Sequence, residues 1–258
     1  MNRSLPVSKK FSFTFSFIKA FIPQNIKNKT IFNIYGLLGK YTSFISQKTI
    51  VAHAKANREE LTNTSLYLFQ QKFIENQAEW GKVLFGRGRQ STMAYSGCGI
   101  IAVCNALIAL GKTISPEQVA DLISDFEREG AAVGGKFGVS SKAINEYFVR
   151  RSYSTILSVD ADANTIEEIE KLCEIVLVTA YNDKQDITAY IHTVCITREQ
   201  NKGYVLHNAY YREHGQWAPR QVGMCTLYEA ITQIGINASP ICVIGIQNDS
   251  SYPISFDH

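Results

Sequence analysis

The chain has 258 residues, 45% of them hydrophobic and 11% aromatic, a composition that supports a packed core and excludes a disordered protein. Its six cysteines, at positions 98, 104, 173, 195, 225 and 242, are too sparse for a disulfide scaffold and form no C-x-x-C pair, which excludes a zinc ribbon and a thioredoxin-like motif and points to a reducing, cytoplasmic compartment. The net charge of +3 hides an asymmetry: residues 1–58 hold ten Lys or Arg and no acid, which leaves −7 on the rest.

Seven of the fourteen phenylalanines also precede residue 45, and "FSFTFSF" (11–17) alternates with period two. Ser, Thr and Lys19 interrupt the apolar run, and no A-x-A-like cleavage site follows it. No segment approaches the ~18 apolar residues of a spanning helix. The division expected is a basic, Phe-rich arm (1–58), a main domain (59–250) and a short tail (251–258). Three readings of the arm stay open: a subdomain packed on the main domain, a surface for anionic membranes or acidic partners, and a removed targeting segment.

Past the arm, Leu61, Leu66, Phe69 and Phe73 recur at helical spacing and predict a helix over 59–80. "GRGRQ" (86–90) breaks it; two arginines without a repeated motif do not make a nucleic-acid site. "CGIIAVCNALIA" predicts a buried helix ending at Gly111. Ser115-Pro116 opens the next helix, with Ser as N-cap and Pro at the first helical position, and it runs to about Glu129. "GAAVGGKF" (130–137) is not a phosphate loop, because Phe137 replaces the magnesium-binding hydroxyl and a helix precedes it. Another helix starts at Ser140 or Ser141. After Tyr153, five stretches rich in β-branched and aromatic residues predict strands, with short helices at 165–174 and 226–235. Helices first and mostly antiparallel strands later predict an α+β fold with segregated halves.

One constellation carries chemistry. Cys98 stands at a helix N-terminus, where free N–H groups and the helix dipole favour a thiolate. Gly97 and Gly99 leave room beside it for a carbonyl. Cys104 lies six residues on, in an apolar run, and reads as core. His192 sits in a strand of apolar and hydroxyl residues. A turn at Asn201-Lys202-Gly203 pairs positions whose numbers sum to 401–403, bringing Asn208 beside His192. The Asn208 amide oxygen is then expected to hold one ring nitrogen while the other faces the thiol.

Cysteine heading a buried helix, then a strand histidine, then an asparagine in the next strand, resembles the chain order of papain-like cysteine peptidases. "GCGIIAVCNALIALGK", "GVSSKAINEYF", "IHTVCIT" and "YVLHNAYY" look most like the bacterial peptidases that process bacteriocin leaders after a double glycine. The resemblance covers about 85–250. It implies a helical half and an antiparallel half with the active cleft between them, and the triad Cys98, His192 and Asn208. It also implies a peptide substrate with small residues at the cut, and no metal or organic cofactor. The family's oxyanion glutamine stands six residues before the cysteine; here that position is Thr92. Gln90, eight before, is the expected donor, with Ser91, Tyr95 or Ser96 as substitutes. His53, His214 and His258 read as surface and His207 as non-catalytic. Asp183 and Asp186 bear on the site only in another strand register, and Trp217 is either a shield for the triad bond or packing. Expected partners are a peptide substrate and, through residues 1–58, an anionic membrane surface, with no nucleic acid. The expected activity is a cysteine peptidase; the alternatives are an acyltransferase or ligase with the same triad, and a catalytically inactive peptide-binding module.

Overall fold

The computed structural model describes residues 23–42, 45–63, 73–88, 91–130, 138–159, 162–181, 191–200, 202–213, 216–220, 223–234 and 239–247. Its helices are α1 (Gln24–Thr42), α2 (Gln47–Asn63), the single turn α3 (Met93–Ser96), α4 (Cys98–Ala109), α5 (Pro116–Arg128), α6 (Ser141–Val149), α7 (Ala163–Leu172) and α8 (Leu227–Thr232). The strands are β1 (Thr155–Ser158), β2 (Ile175–Tyr181), β3 (Ile191–Glu199), β4 (Gly203–His207), β5 (Ala209–Glu213), β6 (Gln216–Arg220), β7 (Gly223–Met224) and β8 (Ser239–Ile246). Six strands form one sheet in the order β1-β8-β2-β3-β4-β7, every pair antiparallel, and β5 and β6 form a separate hairpin. The fold is α+β.

The two faces of the sheet follow from strand alternation. Ile175, Leu177 and Cys195 face α4 and share a cluster with Ile100, Val103, Ile123 and Phe148. Val176, Val178, Val194 and Ile196 face the other way, onto Ile166 and Ile169 of α7 and Leu227 and Ile231 of α8. All seven residues of β2 are buried, as its largely apolar sequence requires of a strand covered on both faces. From Cys98 to Ala106 every residue of α4 is buried, so this helix is apolar all round because core surrounds it. At α5, Ser115 accepts from the Gln118 amide and Gln118 answers the Ser115 amide, a complete capping box with Pro116 behind it.

The expected helix over 59–80 begins earlier and ends earlier. α2 spans Gln47–Asn63, residues 73–76 are not helical, and a 3₁₀ turn runs Gln77–Trp80 behind the Asn76 cap. The compositional change at Glu59 therefore falls inside one continuous helix. Ile31 and Tyr35 of α1 pack with Tyr181 and Ile241 of the sheet, and the Asn28 amide donates to the Pro240 carbonyl at 3.0 Å. On α2, Asn57 exchanges hydrogen bonds with the Leu84 backbone at 2.7 and 2.8 Å, and Arg58 meets Asp121 at 2.6 Å. His53, expected at the surface, is partly buried and bonded to the buried Glu127 at 2.8 Å. Residues 23–42 and 45–63 are thus built into the fold by buried residues such as Ile31, Ile50 and Leu61, while Lys29, Lys48 and Lys55 are exposed. Among the described residues, no helix is long and apolar enough to cross a membrane. The early "FSFTFSF" stretch, residues 131–137 and the tail lie outside the described residues.

Candidate active site

Cys98 is the first residue of α4 and 4% exposed. Burial is the largest influence on its thiol and pushes the pKa up from the usual 9.0; the backbone and hydroxyl of Thr193 and the backbone of Gly99 pull it back down. Thr193 is thus the link between the head of α4 and β3. Its hydroxyl also meets that of Thr179 at 3.0 Å, and Ser141 donates to Thr179 at 2.9 Å. A buried line of three hydroxyls runs from the thiol to the N-terminus of α6.

The glycines around Cys98 serve close packing rather than the substrate access expected of them. A Cβ at Gly97 would lie 2.6 Å from the Met93 carbonyl oxygen, and one at Gly99 would lie 2.7 Å from Val139 Cβ. Gly138 crosses directly above the sulfur. It has φ +61°, and a Cβ there would stand 3.3 Å from Cys98 Sγ, so glycine is required twice over.

His192, the residue before Thr193, is buried. Burial lowers its pKa from the usual 6.5, and the Asn208 carbonyl raises it in part. The ring Nε2 lies 2.7 Å from that carbonyl oxygen. A carbonyl only accepts, so Nε2 carries the proton and Nδ1 is the basic nitrogen.

Asn208 reaches His192 differently from the expectation. The β3–β4 ladder has the expected register at Cys195↔His207 but stops there. Asn208 then takes φ +57° and turns the chain into β5. Its backbone carbonyl, not its side-chain oxygen, meets the ring. The side chain instead faces a segment more than a hundred residues earlier in the chain: Oδ1 accepts from the Gln77 amide at 3.0 Å, and Nδ2 donates to Gln77 Oε1 at 3.2 Å. The Asn208 amide donates to Glu75 Oε2 at 3.0 Å. Asn is suited to this position because it tolerates the left-handed region better than other non-glycine residues.

His207 lies directly across from Cys195 and is held on all sides. Nδ1 meets Glu75 Oε1 at 2.7 Å, Nε2 meets the Thr197 hydroxyl at 2.8 Å, and the ring stacks on Phe73 with centroids 3.8 Å apart. Cys104 faces the core, where burial pushes its thiol up to about 12. Gln90, Asp183, Asp186, His214 and His258 lie outside the described residues, as does the side chain of Trp217. Thr92 caps α3 with extended backbone, Ser96 is buried, and Ser91 and Tyr95 are half-buried.

Sequence reasoning missed the segment Phe73–Gln77 altogether, because helical spacing carried the helix through it. Asn76 was the available signal: its side chain accepts from the Ala78 amide at 3.1 Å, a helix-start device inside the expected helix. It also missed Thr193, since a threonine in a buried strand reads as a β-former. Comparison with protein-family models, curated proteins and solved structures finds no match to the chain. Among the described residues, no group of three or more His, Cys, Asp or Glu is placed to hold a metal ion.

Proposed function

We propose that this chain is a papain-like cysteine peptidase in which Cys98 is the nucleophile and His192 the general base, with Asn208 holding the imidazole through its backbone carbonyl. One observation carries the reading: the Nε2–H of the buried His192 is fixed on the Asn208 carbonyl at 2.7 Å. That bond leaves Nδ1 as the basic nitrogen, the state a general base needs.

In this mechanism the thiol proton passes to His192 Nδ1 as Sγ attacks the peptide carbonyl. The C–N bond breaks as the imidazolium returns that proton to the leaving amine, and an acyl-enzyme remains. Water, deprotonated by the same imidazole, then releases the acid and restores the thiol. The buried thiol and the buried imidazole are each neutral at rest, so in this mechanism proton transfer accompanies attack. First-turn amides of α4 supply oxyanion donors, with Gln90 the proposed side-chain donor. The substrate proposed is a peptide with small residues at the cut, on the resemblance alone.

A peptide-binding module without catalysis is the second reading, and the closure of Gly138 over a nearly inaccessible sulfur favours it. An electrophilic peptide probe, a peptidyl acyloxymethyl ketone, separates the two. Covalent mass at Cys98 that disappears in Cys98→Ser supports the peptidase; binding without covalent mass supports the module and overturns the first reading.

A further inference from the structure

Asn208 uses all of its polar groups. Its carbonyl meets His192, its amide meets Glu75, and both side-chain atoms meet Gln77. Three of these four contacts come from one short segment, Phe73–Gln77, which is itself anchored elsewhere. Asn105 of α4 accepts from the Ile74 amide at 2.8 Å and donates to its carbonyl at 2.9 Å. Gln77 Nε2 donates to the Ala94 carbonyl at 3.1 Å. The segment is therefore a strap, fixed to α4 by Asn105 and to α3, the turn before Cys98, by Gln77.

From this arrangement we infer that Gln77 is a positioning residue of the site, acting on His192 through Asn208. The carbonyl of residue 208 points where its ψ directs it, and φ +57° is not a conformation an asparagine keeps unaided. Three hydrogen bonds from the strap hold the residue there. Gln77 alone supplies a backbone donor and a side-chain acceptor to Asn208 while its amide nitrogen ties the assembly to the α3 turn. It thus couples the two halves of the site: the approach to Cys98 and the acceptor of His192. Glu75 assists by holding the Asn208 amide, and its second oxygen locks His207 beside it. The inference rests on the assignment of His192 as the base, but it concerns the ring's tautomer, which is measurable without substrate.

The test uses the full chain with ¹⁵N-labelled histidine. Two-bond ¹⁵N–¹H spectra near neutral pH report which ring nitrogen of His192 carries the proton. In the parent protein a single Nε2–H form is expected. Gln77→Met keeps the length of the side chain and the backbone donor but removes the side-chain acceptor and donor. It is expected to bring the two tautomers of His192 to comparable populations. Gln77→Glu keeps an acceptor for Asn208 Nδ2 and is expected to restore the parental spectrum, although the bond to Ala94 is gone. Asn105→Ala is the structural control: it loosens the strap at Ile74, lowers the melting temperature and leaves the Gln77–Asn208 bonds in place. If Gln77→Met lowers the melting temperature as Asn105→Ala does but leaves the His192 spectrum parental, Gln77 is structural and the inference is overturned. The same holds if Gln77→Glu fails to restore the spectrum. Failure of the peptidase reading shows separately, as absence of probe labelling at Cys98 with the Gln77 effects on His192 intact.

Discussion

The two cysteines of α4 are both buried and chemically opposite. At the head, the backbone and hydroxyl of Thr193 and the backbone of Gly99 favour the Cys98 anion against burial. Two turns in, Cys104 sits among apolar side chains, with only its own backbone to offset burial. Its neighbour Asn105 spends both side-chain atoms on the Ile74 backbone. Burial alone therefore does not sort a reactive thiol from a structural one. The sorting comes from which donors the neighbouring strand brings to the sulfur, and only the first turn of a helix leaves room for them.

The sharpest break of that comparison is on activity. Cys98→Ser is expected to abolish peptide turnover, a loss of at least ~10³-fold or about 4 kcal/mol of transition-state stabilisation. Cys104→Ala should leave turnover within a few-fold while costing about 1 kcal/mol of stability for a lost buried sulfur. Steady-state assays beside urea melts read both numbers. Equal loss of turnover in the two variants would make the helix, rather than its head, the functional element.

Next in size is a stability effect in the body of the helix. Asn105→Ala strands the Ile74 amide and carbonyl in a dry site, at about 2–4 kcal/mol in total. Asn208 gives a matched test at the sheet. Asn208→Ala should cost more than Asn208→Gly, because glycine accepts φ +57° and keeps the carbonyl. It should retain more His192-dependent turnover for the same reason. The expectation from sequence was an asparagine whose side chain alone mattered, and under that expectation the two variants would be equally inactive. Chemical denaturation and turnover of both variants decide between them.

What the sequence made legible here is local. The Ser115 N-cap with Pro116 behind it, the stop at Gly111 and the strands "IVLVTAY" and "IHTVCITRE" are each specified by a few adjacent residues, and each appears where those residues predict it. The candidate nucleophile was legible for the same reason, since a helix head is a local feature. The strap was not. Its meaning lies in bonds between Gln77 and Asn208, which are 131 residues apart, and nothing near Glu75 or Gln77 announces that partner. The role of Asn208 was half legible: register brought it to His192, but the left-handed turn that presents its carbonyl arises from tertiary contacts. In the N-terminal stretch, the basic composition said nothing about Ile31 and Tyr35, which face the sheet.

A smaller effect separates the head of α4 from an ordinary exposed thiol. Cys225 is exposed, so brief treatment with iodoacetamide should label it before Cys98, which reverses the order that helix position alone suggests. In a Cys225→Ser background, Thr193→Val should slow Cys98 alkylation about fivefold, the rate equivalent of one lost hydrogen bond of ~1 kcal/mol. Thr197→Val, four residues along the same strand face, should leave it unchanged. Equal rates in all three proteins would remove Thr193 from the thiol's environment.

The smallest effect concerns pH and tests how dry the head of α4 is. His192 has its pKa lowered from the usual 6.5, chiefly because burial disfavours the imidazolium. Above pH 6.5 the ring is neutral in both folded and unfolded chains and contributes nothing to the pH dependence of stability. As pH falls below 6.5, the unfolded chain takes up a proton that the folded chain refuses, so stability falls until the lower, folded pKa is passed. The slope from this one group is at most about 1.4 kcal/mol per pH unit. His192→Gln removes it, so the difference between the two proteins isolates the histidine from every other titrating group. Urea melts at pH 7, 6 and 5 should show the parent losing more stability on acidification than His192→Gln. The Cys98 thiol bounds the other side: its raised pKa makes stability fall as pH rises past 9.0, and Cys98→Ser should remove its share of that loss and leave the share of Cys104. Identical acid slopes in parent and His192→Gln would mean that water reaches the imidazole, and the site at the head of α4 would then be open rather than closed.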